Sequence, residues 1–101
     1  MNENFNISLL GNWGKKRMDY LREHNKSLIA QMTSDELLAH CLDIQEASES
    51  IWTNMMTTIR KDPANKVTEK DKAEDPIAWA GRMNNFKHQV HEIIYNDLIY
   101  S

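Results

Sequence analysis

His88, His91 and Glu92 stand at i, i+3 and i+4 of one segment, a spacing that puts metal-binding side chains on one face of a helix. A zinc site needs a third protein ligand and usually a fourth. His24, His40 and Cys41 lie elsewhere in the chain and cannot be assigned to the pair. His88 and His91 therefore read as solvent-facing or interface histidines, and no metal is expected. Cys41, the single cysteine, would need a neighbouring base and an electropositive setting to act as a nucleophile. It falls on the apolar face of an acidic segment, so a buried, inert thiol is the expectation. No Ser-His-Asp arrangement, phosphate-binding glycine loop or paired-carboxylate motif is present. The six methionines recur at helical spacings and read as core filler. The chain is expected to be a non-enzyme, with no catalytic residue, cofactor or small-molecule substrate.

The elements that position these residues fit within one domain, 1–101. A chain of 101 residues can bury a modest core. The net charge of −3 is too near neutral to mark a strongly nucleic-acid-seeking chain. One cysteine allows no intramolecular disulfide, which fits a reducing compartment. The opening "MNENFNISLLGNW" lacks the basic region of a signal peptide. No run approaches the roughly 20 apolar residues of a membrane span. A cytoplasmic protein, with no membrane partner, is the expectation.

Three helical segments stand out, at about 12–32, 34–60 and 76–98, with a polar linker over 61–75. "FNISLL" reads as an extended arm packing on them, ended by Gly11 and Gly14. In the first segment Trp13, Tyr20, Leu21, Leu28 and Met32 share a face, with Arg17 and His24 inside it, an unusual place for either. The second opens on "TSDE", where Thr33 and Glu36 have capping-box spacing. Its apolar stripe runs from Leu37, Leu38, Cys41 and Leu42 through Ile44, Ile51 and Trp52 to Met55, Met56 and Ile59, and Pro63 ends it. "KDPANKVTEKDKAED" has alternating charges and no apolar period, as in a solvated loop. Asp75 and Pro76 then supply an N-cap and a first helical residue. At 1.5 Å per residue the second segment is roughly 40 Å long. The fold expected is all-α: an elongated antiparallel three-helix bundle with an extended N-terminal arm, whose side surface would suit a homodimer.

The third segment has two faces. Trp79, Phe86 and Ile93 are seven apart with Met83 and Val90 between them, a heptad seam facing the bundle. Near 140° from that seam lie Ile77, Asn84, His91 and Leu98, again seven apart, with Ala80 or Gly81, His88 and Tyr95 at the alternate positions. A plain solvent face would carry Glu and Lys. Gly81 costs about 1 kcal/mol relative to alanine inside a helix, a cost easier to accept where a neighbouring backbone comes close. The second seam either packs on the arm or another helix of the same chain or meets an external partner. Ile77, Gly81, Arg82, Asn84, Asn85, His88, His91 and Tyr95 are the candidate partner-binding residues. Arg82 flanks the core face, where its stem can lie on apolar surface while the guanidinium reaches a carboxylate of the acidic second helix or a carbonyl.

Lys15, Lys16, Arg22 and Lys26 make the first segment basic and are the candidates for contact with nucleic-acid phosphates. The segment that would follow as a recognition helix is acidic, through Asp35, Glu36, Asp43, Glu46 and Glu49, which opposes phosphate contact. Attraction between the two helices accounts for the same charges.

"GNWGKKRMDYLREHNKSL" (11–28) and "WAGRMNNFKHQVHEIIYNDLIY" (79–100) resemble the TnpV-type transposon-encoded proteins. Members similarly carry a Gly-aromatic-Gly followed by a basic helix containing Tyr-Leu, and a Trp-x-Gly-Arg-Met-Asn-Asn helix closing on Asn-acidic-Leu-Ile-Tyr. Members often carry a longer extended N-terminal lead than this sequence shows. The resemblance implies a bacterial mobile element as context and carries over no catalytic residue. The function expected is a helical accessory protein of such an element, acting by docking on a protein partner or on itself. The alternatives are an inhibitor of a host defence nuclease of the anti-CRISPR type and a DNA-binding recombination accessory factor.

Overall fold

The computed structural model describes residues 10–101. The extended arm expected over "FNISLL" lies, apart from Leu10, outside the described residues. Their regular structure is all helical, with no strand among them: α1 (Asn12–His24), α2 (Lys26–Ala30), α3 (Ser34–Lys61), a 3-10 turn (Pro63–Asn65), α4 (Glu69–Glu74), α5 (Pro76–Ile94) and a π-helical turn (Tyr95–Ile99). No helix among them is long and apolar enough to cross a membrane. Two compact units can be distinguished. One joins the described residues up to Glu49 with Tyr95–Ser101; the other is Ser50–Ile94.

In the first unit the long opening helix expected over 12–32 is broken at Asn25. Its backbone leaves the helical region (φ −144°, ψ 60°), and its side chain caps α2 by accepting from the Leu28 N–H at 3.2 Å. An Asn side chain competes with the helix for backbone donors, and here it wins. Gly11 caps α1 without a side chain, and its N–H donates to Gln45 Oε1 on α3. Gly14 is fully enclosed: a Cβ there would meet Gln45 Oε1 at 2.7 Å and the Cys41 carbonyl at 3.2 Å. A side-chain-free residue is what lets α1 lie this close to the α3 backbone. The capping box at Thr33 forms both bonds, Thr33 N–H to Glu36 Oε1 at 2.8 Å and Glu36 N–H to Thr33 Oγ1 at 3.1 Å.

The core of this unit is Leu10, Met18, Leu21, Leu37 and Cys41, with Tyr20, Leu28, Ile29, Met32, Leu38 and Leu42 packed against it. Burying each large apolar side chain contributes about 1.5–3 kcal/mol. Met18 is completely buried although it lies off the face drawn through Trp13 and Tyr20. His24, expected inside that face, is exposed. It sits at the end of α1, where the chain turns away. Burial pushes the Cys41 thiol up to about 11, so it stays protonated at neutral pH and is a poor nucleophile.

The chain returns to this unit through the π turn. The Tyr100 N–H bonds the Tyr95 carbonyl at 2.8 Å, an i to i+5 pairing. The regular helix expected to reach about Leu98 therefore stops at Ile94. The wider turn seats Ile99 in a fully buried position.

In the second unit the segment expected to be a solvated linker is folded. Asp62 Oδ1 accepts from the Ala64 N–H at 2.9 Å, and Asn65 Nδ2 donates to the Ile59 carbonyl at the end of α3 at 2.8 Å. Lys66 takes the left-handed conformation (φ 55°, ψ 45°), at a cost of roughly 1–2 kcal/mol for a residue with a Cβ. Val67 is 2 % exposed. Thr68 and Asp71 then make a reciprocal capping box that starts α4. The Thr68 hydroxyl and N–H bonds hold the Asp71 carboxyl below the usual carboxylate range. α4 packs on α5, with Lys72 Nζ 4.8 Å from the Trp79 ring centroid. Asp75 caps α5 through the Ala78 N–H at 3.1 Å.

On α5 the buried residues are Met83, Val90 and Ile94, with Trp79 and Phe86 half-buried. Ile93, expected in the core seam, is 39 % exposed. The last inward step is four residues, Val90 to Ile94. A straight helix drifts by about 20° per heptad, so the inward position passes from 93 to 94.

Candidate functional site

α5 divides the second seam at its middle. Ile77 is 86 % exposed, and Gly81, Asn84, Asn85 and His88 are exposed as well. At 100° per residue Ile77, Gly81, Asn84 and His88 fall within about 60° of one another, a four-three-four spacing along one line. None carries a fixed charge, and His88 pairs with Glu92 at 3.6 Å across one turn. Gly81 is open: a Cβ there would find nothing within 4 Å, and its φ is not positive. Neither packing among the described residues nor backbone conformation requires a glycine at this position.

The lower half of the seam is engaged. His91 is half-buried with its ring 5.0 Å from that of Trp52. Tyr95 is half-buried, its ring 5.6 Å from Trp13 and 5.5 Å from Tyr100. Leu98 is half-buried. Arg82 is also tied down: its Nε donates to the Lys66 carbonyl at 2.9 Å. Of the two intramolecular partners open to it, a carbonyl is taken rather than a carboxylate of the acidic helix. The reason is the left-handed turn at Lys66, which no periodicity in the sequence announces.

His91 faces Trp52 while His88 pairs with Glu92, so the three potential ligands do not converge. Among the described residues no group of three metal-binding side chains comes together.

Lys15, Lys16, Arg22 and Lys26 are all exposed. The break at Asn25 puts Lys26 on α2 and the other three on α1. Arg17, between them in sequence, does something else. It is 6 % exposed. Its Nη1 donates to the carbonyls of Ile99 and Ser101, each at 2.9 Å, and its Nε donates to His40 Nε2 at 3.1 Å. Accepting that bond requires the neutral imidazole, and partial burial followed by the Arg17 charge lowers the His40 pKa.

Around Arg17 runs a row of rings. His24 lies 4.9 Å from Tyr20, Tyr20 5.3 Å from Tyr100, Tyr100 5.5 Å from Tyr95, and Tyr95 5.6 Å from Trp13. The guanidinium of Arg17 stands 5.8 Å from the Tyr20 centroid. One end of this row opens into a cleft of about 430 Å³ lined by Lys16, Asp19, Tyr20, Glu23, His24 and Tyr100. The lining from α1 follows helical spacing, yet Tyr100 arrives from the far end of the chain. The only sequence signal for Arg17 was its place on an apolar face; its carbonyl partners have no sequence signature.

No curated protein and no solved structure matches the chain. A family model, "Transposon-encoded protein TnpV", matches residues 1–99. The stretch that presents Arg17 on α1 falls inside the match, as does the stretch that presents Gly81 on α5 up to Ile99, and the chain belongs to the TnpV family of transposon-encoded proteins.

Proposed function

We propose that this TnpV-family chain is a non-enzymatic accessory protein of a bacterial mobile element, and that it acts by helix-to-helix docking through the open half of the α5 seam. Its first partner is a second copy of itself. Gly81 carries the reading. It weakens α5 by about 1 kcal/mol, and neither the described packing nor its backbone conformation gives a reason for it. A helix laid along Ile77, Gly81, Asn84 and His88 would use the missing Cβ for close approach. It would also cover Ile77 and pair the Asn84 amide. A line without fixed charge can meet its own copy without like-charge repulsion. Asn85 flanks the contact.

The test is a double substitution, Asn84→Glu with His88→Glu, both at exposed positions where the fold has little at stake. Light scattering should report a dimer for the parent protein and a monomer for the variant, with unchanged helical circular dichroism. A parent protein that stays monomeric at high concentration, or a variant that still dimerises, rejects the assignment.

A further inference from the structure

The cleft at the end of the ring row carries a second inference, independent of the α5 interface. We propose that it takes one unpaired guanine base of a single-stranded nucleic acid. The base would stack on the exposed part of the ring row, its Watson–Crick edge would meet Asp19 or Glu23, and its phosphate would meet Lys16.

Four observations support this. The cleft, at about 430 Å³, is within the range of small-ligand sites. Three of its lining residues are aromatic, Tyr20, His24 and Tyr100, and Tyr100 is 48 % exposed. Every nucleobase has a face for such rings, and stacking is worth about 1–3 kcal/mol per base. Asp19 and Glu23 supply acceptors only, so they select an edge that offers donors. Guanine presents two adjacent N–H donors, N1 and N2, which match the two oxygens of one carboxylate; thymine presents one. Lys16 lines the cleft, and Lys15 and Arg22 are exposed on the same helix, seven residues apart and so on one stripe beside it, which gives a strand cations to follow along that side.

A cationic side chain from a protein partner is the competing occupant, since carboxylates and rings also suit an arginine. The position of Arg17 argues against it. Its guanidinium already stands 5.8 Å from the Tyr20 ring, so a second cation on that ring would meet an existing buried charge.

The experiment is fluorescence anisotropy of the full chain with labelled oligothymidylate, with and without a single central dG, in low salt. Expected is tighter binding of the dG-containing strand. Tyr100→Leu should weaken it roughly tenfold, and Tyr100→Phe should keep it. The Asp19→Asn, Glu23→Gln double variant should lose the preference for dG while keeping the weaker binding of oligothymidylate. Lys16→Gln should flatten the salt dependence by about one phosphate contact. Circular dichroism checks that each variant folds. Absence of binding by the parent protein overturns the proposal, as does equal affinity for the two strands. So does equal behaviour of Tyr100→Leu and Tyr100→Phe. Displacement of the strand by an arginine-rich peptide that binds more tightly, with loss of that peptide in the Asp19, Glu23 double variant, reassigns the cleft to a protein partner.

Discussion

The guanidinium of Arg17 donates to the carbonyl of Ile99 at 2.9 Å across 82 residues of sequence. That bond, with its companion to Ser101, fastens the end of the π turn and the residues after it to α1. A buried charge is tolerable here because its donors are aimed at carbonyls and at a neutral imidazole. Replacing Arg17 by Met keeps the apolar stem and leaves two carbonyls without their donor. The expected loss is about 2–4 kcal/mol in urea denaturation. Hydrogen exchange of the Tyr100 amide should rise with it. An unchanged midpoint and unchanged exchange would show that the segment is held by Ile99 and its rings alone.

The acceptor role of His40 gives a pH dependence. Its folded pKa lies below the unfolded value of about 6.5. The unfolded chain therefore binds the proton more readily. The contribution of His40 to stability is fully present above about pH 6.5 and falls as the pH drops through that value. Between about pH 7.5 and 5.5 the Tm of the parent protein should fall more than that of His40→Gln, which keeps an acceptor but cannot titrate. The two proteins differ at His40 alone, so the difference in slope isolates it. Equal pH slopes would contradict the assignment.

Gly14 and Gly81 are both helical glycines, and the structure separates them. A Cβ at Gly14 would enter the space of Gln45 and the Cys41 carbonyl, where backbone cannot yield cheaply. Gly14→Ala should destabilise the protein by about 1–3 kcal/mol despite the better helix propensity of alanine. Thermal or urea unfolding decides it; a more stable variant would mean that α1 can move off α3.

Much of the helical framework was legible from caps. "TSDE" announced the start of α3, and Asp75–Pro76 that of α5, because both caps use neighbours within three residues. The same capping spacing stands at "TEKD", but no apolar stripe follows it: in 61–75 the apolar anchor is Val67, and the rest of the segment is held by polar contacts such as Asn65 to the Ile59 carbonyl and the Lys66 carbonyl to Arg82. Asn25 had the chemistry of a cap in the middle of a periodic stretch, and periodicity outweighed it. The ring row and the Arg17 bonds could not be read at all, because they join residues near both ends of the chain. On α5 a strict seven-residue repeat misplaced Ile93 by one step. The stripe from Ile77 to Leu98 is visible as a pattern; which half of it the chain covers is a tertiary fact.

The capping box at Thr68 ties that unexpected turn together, since its hydroxyl serves both the Asp71 N–H at 3.2 Å and the Asp71 carboxylate at 2.7 Å. Thr68→Ala should cost about 1 kcal/mol and raise the Asp71 pKa toward its ordinary value, read by NMR titration of its carboxyl. Loss of stability without the pKa change would separate the cap from the hydroxyl bond.

The most direct test of the α5 interface is sedimentation equilibrium of Gly81→Gln beside the parent protein, with thermal unfolding of both under dilute, monomeric conditions. Glutamine is the better helix former by roughly half a kcal/mol or more, and the space around Gly81 is open, so the isolated fold should be as stable or more so. Its side chain should nevertheless hold a second helix away, and the dimer constant should weaken by at least about tenfold. A parent protein that sediments as a monomer, or a variant that associates as tightly as the parent, would contradict the account.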